Sequence, residues 1–118
     1  QPASPECPSL LSSWSAPKDG RSAFRPMNVI AFSASGITWN RQPLSDKQLR
    51  EYLAIGRTMN PVPFTVLDPT GAPDCRTATK LRDEINEAAD CQGEGVCGQG
   101  SLADWKNAPG LSGPGWVE

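Results

Sequence analysis

Gly36-Ile37-Thr38-Trp39-Asn40-Arg41-Gln42-Pro43-Leu44-Ser45 is the stretch that decides the fold. Ile37 and Trp39 alternate with Thr38 and Asn40, the period-two pattern of a half-buried strand. Asn40 tolerates a left-handed backbone and Pro43 punctuates the chain, so a turn follows the strand. Ser45 with Gln48 three residues on makes a capping box, the signature of a helix N-terminus. A strand, a turn and a helix start are thus packed into one short run.

Upstream, Met27–Ser33 reads as a strand with apolar side chains on both faces, Val29 and Ala31 on one and Ile30 and Phe32 on the other. That pattern suits a central strand. Ser35-Gly36 supplies a turn, so Met27–Ser33 and Ile37–Asn40 form an antiparallel hairpin with a short loop or bulge. Downstream, the spacing of Leu49, Tyr52, Leu53 and Gly56 predicts an amphipathic helix from Ser45 to about Met59, ended by Asn60-Pro61. Pro63–Leu67 reads as a short buried strand, and Asp68-Pro69-Thr70-Gly71 as a turn. Asp74 then opens a second helix, with Ala78, Leu81, Ile85 and Ala88 as its buried stripe. Arg82, Asp83, Glu84, Asn86 and Glu87 fall on its solvated face. The order β-β-α-β-α implies an α+β, two-layer sandwich: a hairpin plus at least one further strand, with two helices on one face.

The chain has 118 residues, enough for one domain with a modest core. Its 12 prolines and 11 glycines crowd the two ends, so the ordered core is expected to be shorter than the chain. The natural division is a Pro/Ser-rich arm over residues 1–26, a core over 27–90, and a disulfide loop with a Gly/Pro-rich tail over 91–118. In the arm, Leu10, Leu11 and Trp14 have the spacing of one or two helical turns packed on the core. A net charge of −2 argues against a nucleic-acid partner. The absence of histidine excludes Ser-His-Asp and Cys-His nucleophilic pairs and histidine-bearing zinc sites within the chain. No apolar run is long enough to span a bilayer, and no signal-peptide pattern is present. With Gln1 first, the expectation is a processed mature form or an excised fragment.

Cys7, Cys75, Cys91 and Cys97 allow three connectivities. None lies in a C-x-x-C pair, so disulfides in an oxidising compartment are expected rather than a metal site. Cys91–Cys97 would close a short Gly-rich loop, and Cys7–Cys75 would tie the arm to the start of the second helix. A Cys75–Cys91 bridge conflicts with a helix over 75–90, whose ends would lie about 24 Å apart at 1.5 Å rise per residue, well beyond disulfide reach. The candidate carboxylate pairs for acid–base catalysis are Asp68 with Asp74 and Asp83 with Glu87. Turn, cap and surface roles account for all four, and no catalytic residue or cofactor is expected.

The succession Val29-Ile30, Gly36-Ile37-Thr38-Trp39-Asn40, Leu44-Ser45, Leu49, Leu53, Pro63, Asp68 and Leu81 resembles the periplasmic domain of the ExbD/TolR biopolymer-transport family. The resemblance covers about residues 27–90. Arg41 stands where the family prefers Gly, and Cys91–Gly100 stands in place of its apolar strand after the second helix. The resemblance implies a non-catalytic periplasmic domain that works in energy transduction linked to the proton-motive force. It implies ExbB/TolQ-like and TonB/TolA-like protein partners, a homodimer, and, in the TolR branch, contact with peptidoglycan. It also implies an inner-membrane anchor from a segment that this sequence does not contain.

On the residues alone, a sheet edge or the arm is the expected binding surface, since an unpaired edge invites strand addition. The alternative is a secreted, disulfide-stabilised binding or inhibitor protein. In that reading Trp105 and Trp116 are the contact residues for a partner, because Trp is enriched where interfaces concentrate their energy; the competing reading has them covering the core.

Overall fold

Two consecutive residues, Asn40 and Arg41, adopt left-handed backbone with φ of 50° and 76°. They form the two-residue loop of a hairpin closed by Trp39 and Gln42, a type I′ turn whose twist matches that of the flanking strands. The computed structural model that shows this describes residues 8–17, 26–59, 62–93 and 96–106. Its elements are β1 (Met27–Ser33), β2 (Gly36–Trp39), β3 (Gln42–Leu44), α1 (Asp46–Gly56), β4 (Phe64–Asp68), α2 (Cys75–Ala88), β5 (Val96–Gln99) and α3 (Leu102–Lys106).

The strands form one mixed sheet in the order β3-β2-β1-β4-β5. β1 pairs antiparallel with β2 and parallel with β4, and β4 pairs parallel with β5. The α+β reading is therefore correct, with two strands beyond the minimum expected. Pro43 reads as a breaker in the sequence, yet β3, a three-residue edge strand, tolerates a residue without an N–H. β5 forms where the sequence suggested no strand. Cys97, Gly98 and Gln99 are all buried against β4, so the segment lacks the usual apolar alternation.

Alternation along the strands divides the apolar side chains between the two faces of the sheet. Ile30 and Leu67 meet Leu49 and Leu53 of α1 and Leu81 and Ile85 of α2. Met27, Val29, Phe64 and Val66 meet Trp105 of α3 on the opposite face. Full burial of each such Leu, Ile or Phe contributes roughly 1.5–3 kcal/mol. Gly98 is required here by close approach: a Cβ would sit 2.6 Å from the Trp105 ring and 2.8 Å from the Phe64 ring.

The arm is folded onto this framework. Leu10, Leu11 and Trp14 do not lie on an α-helix; the chain turns at Ser12-Ser13 and forms an isolated parallel bridge between Ser15 and Gly98. Ser15 N–H donates to the Cys97 carbonyl (2.9 Å), and Gln99 N–H donates to the Ser15 carbonyl (3.0 Å). Trp14 is buried and donates from Nε1 to Asn86 Oδ1 at 3.0 Å. Arg82, expected on a solvated face, is 8 % exposed because its Nη1 donates to the carbonyl (2.7 Å) and Oγ (3.1 Å) of Ser9. Ordered structure thus extends on both sides of residues 27–90.

Cys91 and Cys97 form a disulfide that joins the end of α2 to β5, as expected. Cys75 is also disulfide-bonded; Cys7, its expected partner, lies outside the described residues. The Cys91–Cys97 disulfide is compatible with a periplasmic or secreted location.

Two stability outcomes follow. Replacing Cys91 and Cys97 together by Ser should lower the unfolding free energy by about 2 kcal/mol, the chain-entropy value for so short a loop; equal urea midpoints would refute this. Arg41→Gly should raise it by about 1 kcal/mol, because glycine alone takes the second loop position without a Cβ penalty, and an unchanged or lower midpoint would count against that reading of the turn.

Candidate functional site

α1 begins at the expected capping box. Ser45 Oγ accepts from Gln48 N–H, and Gln48 Oε1 accepts from Ser45 N–H, each at 3.1 Å. From that start, Leu49 and Leu53 point into the core. Tyr52, expected in the same buried stripe, is instead 40 % exposed. Together with Ile55 (57 % exposed), one turn further along the helix, and Met59 (51 %) in the turn that follows α1, it forms an exposed apolar stripe. A signal for it lay in the sequence: Tyr52 and Ile55 are three residues apart on α1, beside the Leu49–Leu53 stripe that turns to the sheet.

The stripe borders a groove of about 260 Å³ between the C-terminal end of α1 and the first residues of β1, β4 and β5. Trp39 and Tyr52 stand edge to face in its wall, with ring centres 5.3 Å apart and planes at 81°. Leu53, Val62, Pro63, Ala89 and Val96 add to the apolar lining. Its polar residues are Asn28, Thr65 and Arg57. Asn28 and Thr65 are register partners on adjacent central strands. The other residues of β1 and β4 on that face, Ile30, Phe32 and Leu67, are apolar, so this polar pair breaks the pattern. Arg57 lies at the mouth and pairs loosely with Asp90, 3.8 Å away.

The residues singled out from the sequence do not assemble into one site. Cys91 and Cys97 are buried at the α2–β5 junction. Cys75 begins α2 on the surface. Trp105 is 0 % exposed and packs edge to face against Phe64 at 5.1 Å. It cannot meet a partner's surface in this fold, which corrects its assignment as a contact residue; the core-covering reading describes it. Trp116 lies outside the described residues.

The carboxylates hold local structure. Asp68 Oδ1 accepts from the Thr70 N–H (3.0 Å) and hydroxyl (2.6 Å), and Oδ2 accepts from Leu102 N–H (3.1 Å). Asp83 pairs with Arg82 at 2.7 Å. Asp74 caps α2, accepting from Thr77 N–H at 2.7 Å. That backbone hydrogen bond, with Thr77's side-chain hydrogen bond and the nearby Arg76, holds the Asp74 carboxyl below its ordinary range. No group of three or more Cys, Asp and Glu side chains among the described residues is placed to hold a metal ion. No helix among them is long and apolar enough to cross a membrane.

Comparison of the chain with protein-family models, with curated proteins and with solved structures finds no match.

The Asp74 cap carries a pH dependence of definite sign. Its folded pKa lies below the unfolded value, so the cap's contribution is complete above the unfolded carboxylate range and is lost as pH falls through the folded value. Asp74→Asn should leave the acid limb of stability shallower than that of the parent as pH falls through and below the ordinary carboxylate range. Superimposable acid limbs in urea titrations would show that Asp74 does not contribute.

Proposed function

We propose that this chain is a non-catalytic interaction domain of ExbD/TolR type, which docks a protein partner in the periplasm as part of energy transduction linked to the proton-motive force. The observation that carries this reading is the exposed Tyr52–Ile55–Met59 stripe beside an aromatic-walled groove. Large apolar side chains grouped in this way on a small domain mark an interaction surface. The mixed sheet with α1 and α2 on one face supports an α+β interaction domain. A strand, β5, follows the second helix, although its residues Val96–Gln99 do not carry the apolar pattern of the family.

The docking surface differs from the sheet edge anticipated from the sequence. At β5, the arm already takes the Cys97 carbonyl and the Gln99 N–H. At β3, the middle residue Pro43 has no N–H to offer. The α1 stripe carries neither obstacle, and its side chains suit the helix-in-groove mode of recognition. TonB/TolA-like proteins are the partners implied by the resemblance, with ExbB/TolQ-like components on the membrane side.

The test is binding to purified periplasmic segments of TonB/TolA-like proteins, followed by calorimetry. Ile55→Lys and Met59→Lys should leave stability within about 0.5 kcal/mol of the parent, as surface substitutions do. Each should weaken binding at least about tenfold if it lies at the centre of the interface. Binding that both variants retain would remove the α1 stripe from the contact, and no binding by the parent chain would overturn the transduction reading.

A further inference from the structure

We propose that the groove beneath the C-terminal end of α1 is a subsite for one phenol ring, the side chain of a tyrosine carried by the protein partner. This rests on the interaction-domain reading and assigns the chemistry of its central contact.

The polar floor sets that chemistry, and the Asn40 turn fixes the floor. Asn40 Oδ1 is committed to the Val29 N–H at 2.8 Å, so its amide nitrogen faces Asn28. Asn28 must therefore receive that bond on Oδ1, at 3.0 Å, and its own amide nitrogen remains as a donor on the lining of the groove. Beside it, Thr65 is only 5 % exposed. Its hydroxyl lines the groove and forms no hydrogen bond among the described residues. The hydroxyl is not among the fully enclosed unpaired polar atoms, so it reaches the groove, where a ligand can replace the water that meets it. The floor thus offers one N–H donor and one hydroxyl that can either give or accept.

The occupant must fill an apolar slot and present, at its tip, an atom that accepts from Asn28. A phenol does both: its oxygen accepts from Asn28 Nδ2 and its hydroxyl donates to Thr65 Oγ1. An indole only donates and would leave the Asn28 N–H unmet. A phenylalanine ring would leave both groups unmet. The groove volume of about 260 Å³ suits one aromatic side chain, and the Trp39–Tyr52 edge-to-face pair provides aromatic surface to receive it. A second copy of this chain cannot supply the ring, because its one tyrosine is Tyr52, itself part of the wall.

The experiment titrates the isotope-labelled chain with p-cresol and with toluene, following backbone amide shifts by NMR. Saturable shifts should cluster at Asn28, Trp39, Tyr52 and Thr65. p-Cresol should bind about fivefold more tightly than toluene, the effect of a net hydrogen bond. Thr65→Val, nearly identical in shape, should keep the parent spectrum elsewhere and reduce the preference for p-cresol, leaving only what the Asn28 N–H contributes; an unchanged preference would remove Thr65 from the subsite. Equal affinities in the parent chain, or shifts that map away from the groove, would overturn the subsite. A blocked tripeptide centred on tyrosine should bind at the same residues more tightly than its phenylalanine twin. If p-cresol binds selectively while the two peptides do not differ, the phenol site stands and its protein source is overturned. Retention of partner binding by Ile55→Lys would instead bear on the docking surface alone, so the two readings fail separately.

Discussion

The sheet depends on the way Asn40 continues β2 after the chain has begun to turn. Its N–H donates to the Val29 carbonyl, and its side-chain oxygen accepts from the Val29 N–H. Both backbone groups of Val29 are met on that side by one residue that has already left extended geometry. Without the amide side chain, the turn would orphan a donor on the strand at the middle of the sheet, at a cost of about 1–3 kcal/mol. With it, the chain reverses within two residues, β3 forms, and Ser45 arrives where α1 must start. The same amide fixes which end of Asn28 faces the groove, so fold and candidate site share one constraint.

The elements whose signals are local were legible in the sequence. The capping box at Ser45, the Asp74 cap and the alternation in β1 each have a mechanism acting within a few residues, and all three appear in the structure. What was illegible depends on distant partners. β5 has no strand-like alternation because its neighbours, rather than its own pattern, bury it. Arg82 looks like a surface residue of α2 until the arm folds over it. Tyr52 and Leu53 are adjacent apolar residues on one helix, and only the position of the sheet decides which one is left outside. The polar pair Asn28 and Thr65 was equally invisible, because their pairing joins two strands distant in sequence.

A five-stranded open sheet has two edges to manage. This protein treats them differently. β3 is short and contains proline, so it offers little to an incoming strand. β5 is covered by an arm anchored through Trp14, Ser15, Ser9 and Pro8. Four separate anchors on one short segment make the cover an integral part of the domain. With both edges managed in this way, the exposed apolar side chains of the domain lie on and just after α1, away from the sheet backbone.

The arm also has a bearing on the order in which the domain can be made. Ser15 pairs with Gly98, and Gln99 Nε2 donates to the Pro8 carbonyl at 2.6 Å across 91 positions of sequence. These contacts close only after β5 has been laid beside β4, itself a parallel pairing with β1 that a hairpin cannot deliver. Contacts of such long range carry a heavy loop-closure penalty and slow folding. The segment synthesised earliest among those described is consequently among the last to settle. Until it does, Trp14 and the outer side of β5 stay uncovered, and that interval is when the nascent domain is most open to pairing with the wrong chain.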